Sequence, residues 1–382
     1  MGLYGLSQLI LLLAAPFIAR LYGPVLFGRY GYFFTVSTLF VSLVTLRYEY
    51  VIPQLAHFKN RARFSGACLM ICVFLTGVLT AFLWLPLSLY SPLTSFDLLL
   101  LTPVLFFQAC FQVLSMVMTA DGKADVSARY KVLQNALVVA FQMILPFLLT
   151  DAKPIALVLG LCIGLVLSAL IFFQTIKKQE RVFFQFNSKK IRALLRRYRQ
   201  YPLFASWSNM VNALSINLPV LLIGYFYGAV SLGYFFMASR LLLAPTALMG
   251  KSLSQVITQK ICELSREKKQ LQSFFFQLLG ILFVVALCFY LGVVLCSKAL
   301  PWLMGEKWGG ALPVIRTLVY AVALNLIVNP LSCLFLLLGR SRLNALIQVL
   351  NLFIYAIVLF LSSSQSFLQF VENYTLTWAV LE

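Results

Sequence analysis

The groups that could do chemistry in this chain are basic and amide side chains standing inside long apolar runs. Arg240 lies about eight residues into the apolar run 232–254, roughly 12 Å deep at 1.5 Å per residue. A charge in hydrocarbon costs at least ~2.5–3.5 kcal/mol, so it needs a reason to be there. Two readings stand for Arg240, an anion contact facing a cavity and a structural partner to backbone carbonyls. Arg316, about five residues into the run 311–338, has the further choice of reaching back to the surface. Arg47 and Glu49 close the run 30–47 in Leu46-Arg47-Tyr48-Glu49-Tyr50-Val51-Ile52-Pro53, where a substrate contact competes with a local ion pair or cap. Lys251 falls one position from the Arg47 equivalent in the second half of the chain. Uncharged groups cluster as well: Gln108 and Gln112 at i, i+4, Asn209 and Asn212 at i, i+3, and Asn325 and Asn329 at i, i+4 before Pro330. Such amides either hold helices together or line a hydrated path for sugar and phosphate groups.

Other chemistries lack their parts. The single histidine, His57, leaves a His-based metal site or catalytic triad incomplete. Of the eight cysteines, all but Cys262 sit in or beside apolar runs. Cys68 and Cys72 are one helical turn apart with no His or carboxylate beside them, which reads as small apolar filler. No Gly-rich phosphate loop ending in Lys-Ser/Thr occurs, so no built-in ATPase is expected; no acidic pair suggests a hydrolase or glycosyltransferase, and no cofactor is expected.

These groups are carried by an all-helical membrane chain. Of 382 residues 62% are apolar and 11% charged, with a mean hydropathy of +0.93. Soluble domains carry about 25% charged residues, and disorder needs low hydrophobicity, so both classes are excluded. A span needs roughly 20 apolar residues. Spans are expected near 3–19, 30–47, 65–88, 97–119, 132–150, 155–176, 203–224, 232–254, 273–297, 311–338 and 343–362. A twelfth begins near Tyr374 and stops at Glu382. The first run lacks a basic flank and is taken as a short span rather than a cleavable signal. Prolines 16, 103, 146, 219, 245 and 330 fall inside spans and mark expected kinks.

Basic residues are retained on the cytoplasmic side. With the N-terminus inside, the internal loops 55–64, 120–131, 177–201, 259–272 and 339–342 hold 21 Lys or Arg, and the external loops hold 5. This split accounts for the net charge of +19 without nucleic acid. The densest run, Lys189-Lys190-Ile191-Arg192-Ala193-Leu194-Leu195-Arg196-Arg197, is either an amphipathic helix on the inner leaflet or an ordinary basic anchor between two halves.

The chain also repeats itself. Tyr22-Gly23-Pro24-Val25-Leu26-Phe27-Gly28 matches Tyr227-Gly228-Ala229-Val230-Ser231-Leu232-Gly233, and Gly122-Lys123 matches Gly339-Arg340. Spans 1–5 thus lie over spans 7–11. Six spans per repeat bring the second half in from the same side, so the halves should be related by an axis along the membrane normal. The expected organisation is an N-terminal bundle at 1–176, a basic linker at 177–201 and a C-terminal bundle at 202–382, with the last helix incomplete. Twin bundles suit alternating-access transport, although a duplication alone does not require it.

The segments Arg20-Leu21-Tyr22-Gly23-Pro24, Phe27-Gly28 and Arg47-Tyr48-Glu49-Tyr50-Val51-Ile52-Pro53 resemble the start of Wzx-type polysaccharide flippases, in the multidrug/oligosaccharidyl-lipid/polysaccharide exporter superfamily. Tyr227-Gly228, Gly233-Tyr234, Gly305-Glu306-Lys307-Trp308 and Asn329-Pro330-Leu331 are similar in the second half. The resemblance implies a MATE-like bundle with a central cationic cavity, in the bacterial inner membrane. It also implies movement of polyprenyl-diphosphate-linked oligosaccharide from inner to outer leaflet, for O-antigen, capsule or exopolysaccharide synthesis. Partners implied are the lipid-linked oligosaccharide, membrane lipids, and polysaccharide polymerase and chain-length proteins. Arg47, Arg240 and Lys251 would then bind diphosphate. Spans 1 and 7 carry no acidic residue, a departure from the cation-coupled multidrug exporters of the same fold, which remain the second reading. A membrane-embedded enzyme or assembly scaffold is the third.

Overall fold

The computed structural model describes the backbone of residues 2–55, 58–149, 153–179, 188–246, 271–331 and 341–381. Among these residues there is no strand; the ordered elements are helices joined by short turns. In chain order they are α1 (Leu3–Thr45), a 3-10 turn (Tyr48–Gln54), α2 (Phe58–Tyr90), α3 (Ser95–Ala120), α4 (Ala124–Leu148), α5 (Lys153–Gln179) and the short α6 (Ser188–Arg197). There follow α7 (Ser206–Phe226), α8 (Gly228–Thr246), α9 (Leu271–Ser297), α10 (Leu300–Met304), α11 (Ala311–Leu331), α12 (Ser341–Leu361) and α13 (Phe367–Leu381). Nine helices among the described residues are long and apolar enough to cross a membrane. Many of the large side chains on α2, such as Phe74 and Phe82, point outward, as a surface solvated by acyl chains requires.

The 43-residue α1 is two spans. At Gly23 the backbone leaves the helix, with φ 70° and ψ 173°, a region open to glycine. Side-chain bonds show that the chain reverses there. Tyr4 meets Ser127 and Tyr22 meets the Gln142 carbonyl, so residues 3–22 run parallel to α4. Arg29 meets Asp97 near the start of α3, while Arg61, beyond the end of α1, meets Ala120 and Asp121 at its end. Residues 24–45 therefore run parallel to α3. Because α3 and α4 form a hairpin, with Ser115 against Ser127, the two parts of α1 are antiparallel.

The expected external loop at 20–29 is thus a single-residue break, and the first span extends to Tyr22 rather than ending at 19. Gly228, the repeat partner of Gly23, also has positive φ, 75°, between α7 and α8. The Tyr-Gly repeat therefore places a positive-φ glycine at both positions. Pro16, Pro103, Pro146 and Pro219, the expected kink positions, lie inside α1, α3, α4 and α7. The last helix starts at Phe367, earlier than Tyr374, and is 15 residues long.

The chain divides into two compact units, Met1–Ala229 and Val230–Glu382. The division falls after α7 because that helix packs along α1. In the first unit α3 is central, touching α1, α2, α4 and α5. α4 and α5 approach most closely at Gly160 and Gly164, one turn apart. A Cβ at Gly164 would stand 2.6 Å from the Val138 Cα, the close backbone contact that small residues at i, i+4 allow. In the second unit α11 packs on α9 and α13. Tyr234 of α8 covers Gly310 and donates to the Lys307 carbonyl at 3.1 Å, and Trp308 is buried beside it.

Candidate functional site

The end of α1 carries the most strained backbone among the described residues. Leu46 and Arg47 both adopt left-handed conformations, φ 49° and 57°, and they are the only non-glycine residues there with positive φ. Left-handed geometry costs an L-residue roughly 1–2 kcal/mol. Strain kept in a fold often accompanies function. The turn is held by Leu46 N–H donating to the Leu43 carbonyl at 3.2 Å and Arg47 N–H donating to Thr45 Oγ1 at 3.3 Å. It lets the 3-10 turn fold back, burying Tyr48 and Glu49 while Tyr50 stays exposed.

Arg47 is half-buried and multiply engaged. Its Nη1 donates to the Tyr50 hydroxyl at 3.1 Å, and its guanidinium lies 4.9 Å from the centre of that ring. The same Nη1 stands 3.5 Å from Glu49 Oε1, a loose ion pair. Glu49 is 1% exposed, and both carboxylate oxygens are buried without a hydrogen bond. Burial pushes its carboxyl above the ordinary range for a glutamate, more than the Arg47 charge pulls it down.

Around this turn the chain is tied firmly. Arg61 Nε donates to the Leu55 carbonyl at 2.6 Å, and its Nη1 donates to the Ala120 carbonyl at 2.7 Å and to Asp121 Oδ1 at 2.6 Å. One guanidinium thereby joins the ends of the 3-10 turn, α2 and α3. At the far end of α3, Asp97 is fully buried. It caps the helix with Thr94 and pairs with Arg29. Thr94 and Asp97 form a capping box, each side chain bonded to the other residue's backbone N–H.

The remaining sequence candidates fall in both units. Gln108 and Gln112 lie on α3, and their side-chain oxygens are buried without a hydrogen bond. On α7 Asn209 is half-buried and Asn212 exposed. In the second unit Arg240 of α8 and Asn325 of α11 are half-buried, and Arg316 is exposed on α11. The backbone at Asn329 is helical, but its side chain, like all of Lys251, lies outside the described residues. His57, Cys262 and Cys333 lie outside them as well.

One half-buried base was not anticipated. Lys131, assigned from the sequence to the loop 120–131, lies seven residues inside α4, which starts at Ala124 rather than 132. Its Nζ donates to Gln134 Oε1 at 2.6 Å and sits 5.2 Å from the Phe111 ring centre. Nearby, Tyr4, Ser127 and Ser115 form a hydroxyl chain, and Asn135 donates to the Ser7 carbonyl at 2.8 Å. Hydroxyl and amide groups thus bond to one another between α1, α3 and α4, within a core that is otherwise apolar.

Comparison with known proteins completes the picture. A family profile described as polysaccharide biosynthesis protein matches residues 17–313. The chain belongs to this family. Among curated members, the teichuronic acid biosynthesis protein TuaB of Bacillus subtilis is 28% identical over 137 residues, 36% of this chain and 28% of that protein. The lipopolysaccharide biosynthesis protein WzxC of Escherichia coli is 24% identical over 156 residues, 40% of this chain and 32% of that one. The chain thus spans about a third of the length of these relatives.

Solved structures extend the likeness to the whole fold. The lipid II flippase MurJ in an inward closed conformation gives a TM-score of 0.75 at 14% identity, covering 99% of this chain and 85% of that one. An inward-facing MATE family transporter of the MOP superfamily gives 0.72 at 15% identity, covering 98% and 92%. The family member is therefore a multi-pass helical membrane protein with the expected MATE-like fold.

Proposed function

We propose that the chain flips polyprenyl-diphosphate-linked oligosaccharide repeat units from the inner to the outer leaflet of the bacterial inner membrane, by alternating access. In this reading the N-terminus is cytoplasmic and the chain is a transporter, not an enzyme. The observation that carries it is the family match over residues 17–313 on a MATE-like fold. WzxC and MurJ, by their names, act in lipopolysaccharide synthesis and lipid II flipping.

The chemistry is consistent. A diphosphate cannot cross hydrocarbon alone, because burying an unpaired ion costs many kcal/mol. Guanidinium groups can accompany it through charge-assisted bonds while the polyprenyl tail stays in lipid. Arg47 is suited to such an exchange: it is half-buried and holds Glu49 only at 3.5 Å. Arg240, Lys251 and Arg316 would supply further positive charge, and Glu49, Gln108, Asn209, Asn212, Asn325 and Asn329 polar contacts to the glycan. The domain reading of 1–176 and 202–382 as repeated bundles joined by 177–201 belongs to the same proposal. So does the coupling to polymerase and chain-length proteins.

The test is complementation in a strain lacking the protein, reading surface glycan and protein abundance together. Arg240→Ala should reduce glycan display at unchanged abundance. Normal display from a strain with no protein at all would overturn the reading. Gradient-dependent dye extrusion in its place would favour the cation-coupled exporter reading, which the MATE likeness also accommodates.

A further inference from the structure

We infer that α6 and the turn after it form a docking surface for anionic phospholipid headgroups at the cytoplasmic leaflet. The inference takes its orientation from the proposed topology, but it concerns a surface outside the substrate-handling residues.

Along α6 burial follows a helical period. Ile191, Leu194, Leu195 and Tyr198 are half-buried, whereas Arg192, Arg196 and Arg199 are exposed on another stripe, spaced i, i+4, i+7. The half-buried face is turned to the protein: the Tyr48 hydroxyl donates to the Leu195 carbonyl at 3.4 Å, and Gln54 donates to the Tyr201 hydroxyl. The basic face is left outward. No aspartate or glutamate occurs between Arg181 and Glu263, so no acidic residue of the same stretch neutralises it.

Immediately after, one wide π-type turn, Tyr201–Ala205, leads into α7. Here Leu203 is 57%, Phe204 73% and Trp207 59% exposed. Aromatic and apolar side chains presented beside a guanidinium stripe match the boundary between headgroups and acyl chains. An acidic protein would satisfy the arginines but leave Phe204 and Trp207 in water. A bilayer satisfies both. The surface is also wired to the strained turn of α1, because Tyr48 and Gln54 belong to the same 3-10 turn as Glu49. Lipid binding on α6 would therefore stiffen the segment that presents Arg47.

Each basic residue near an anionic bilayer raises affinity about fivefold, so three contribute on the order of 100-fold. The experiment uses the full chain in nanodiscs doped with brominated phosphatidylglycerol or brominated phosphatidylcholine. Quenching of Trp207 is read as the difference between the wild type and Trp207→Phe. The inference expects stronger quenching by phosphatidylglycerol, reduced toward the phosphatidylcholine level by raised salt and in the Arg192→Gln/Arg196→Gln/Arg199→Gln variant. The salt arm needs no variant, so misfolding of the triple variant would not blunt the test. Equal quenching by the two lipids, or a preference that survives both salt and the triple substitution, overturns the inference. Displacement of phosphatidylglycerol by equimolar undecaprenyl diphosphate also overturns it, and would give the surface to the carrier lipid. Nothing in this readout depends on flipping, so a chain that fails to transport yet keeps the preference would refute the transport proposal alone.

Discussion

At the scale of single residues, the Arg47–Glu49 turn combines backbone strain with an under-compensated buried acid. Glu49 should make stability fall as pH rises. Its carboxyl titrates above the ordinary glutamate value in the folded chain because burial disfavours the charged form. Over the interval between the ordinary and the raised value, the folded state holds more protons than the unfolded one. Its contribution is thus complete below the ordinary value and is lost as pH climbs through the raised one. Glu49→Gln should flatten this part of a melting-temperature profile in detergent and be at least as stable as the wild type at neutral pH. An unchanged profile would mean that Arg47 fully compensates the carboxylate. Strain and charge at Arg47 can be separated by a pair of variants. Arg47→Ala keeps the left-handed backbone cost, whereas Arg47→Gly relieves it. After allowing for the entropy of glycine, Arg47→Gly should be the more stable by about 0.5–1 kcal/mol. Both should lose glycan display equally if the guanidinium is what the substrate meets.

At the scale of elements, the α4–α5 contact sets glycines directly against the backbone of a neighbouring helix, and its prediction is steric. Gly164→Ala would place a methyl group 2.6 Å from Val138 backbone and should cost about 1–3 kcal/mol by overpacking. Gly77→Ala on α2, where nothing lies within 4 Å, should instead raise stability by about 0.5–1 kcal/mol. Equal melting temperatures for the two would remove the close approach. Apolar runs were enough to locate the helices, because spanning lengths of apolar residues have few alternatives in a bilayer. Reading basic residues as loop markers placed Lys131 outside α4, since one-dimensional patterns do not show that a lysine bonded to Gln134 on its own helix can rest on Phe111 of another. The left-handed pair at Leu46 and Arg47 left no sequence signal, as neither residue is one that favours that conformation. Only the packing shows that Asp97 closes on Arg29 and that Gly164 meets Val138.

At the scale of the whole molecule, everything about direction depends on the reversal at Gly23. If α1 were one continuous rod, residues 3–45 would be about 65 Å long at 1.5 Å per residue, more than twice the hydrocarbon thickness. The parity of every later helix would then shift by one. The 21 to 5 division of basic residues requires two crossings there, and the bonds of Tyr4, Tyr22, Arg29 and Arg61 supply them independently. Cysteine accessibility can decide the point. In a background with the eight native cysteines replaced, Gly2→Cys and Gln54→Cys should react with an impermeant maleimide only in inverted vesicles. Val25→Cys, about half exposed beside the break, should react only in intact cells. Reaction of Val25→Cys from the same side as Gly2→Cys would show that residues 3–22 do not cross. It would also move the strained Arg47 turn, the basic helix α6 and the proposed lipid surface to the opposite face of the membrane.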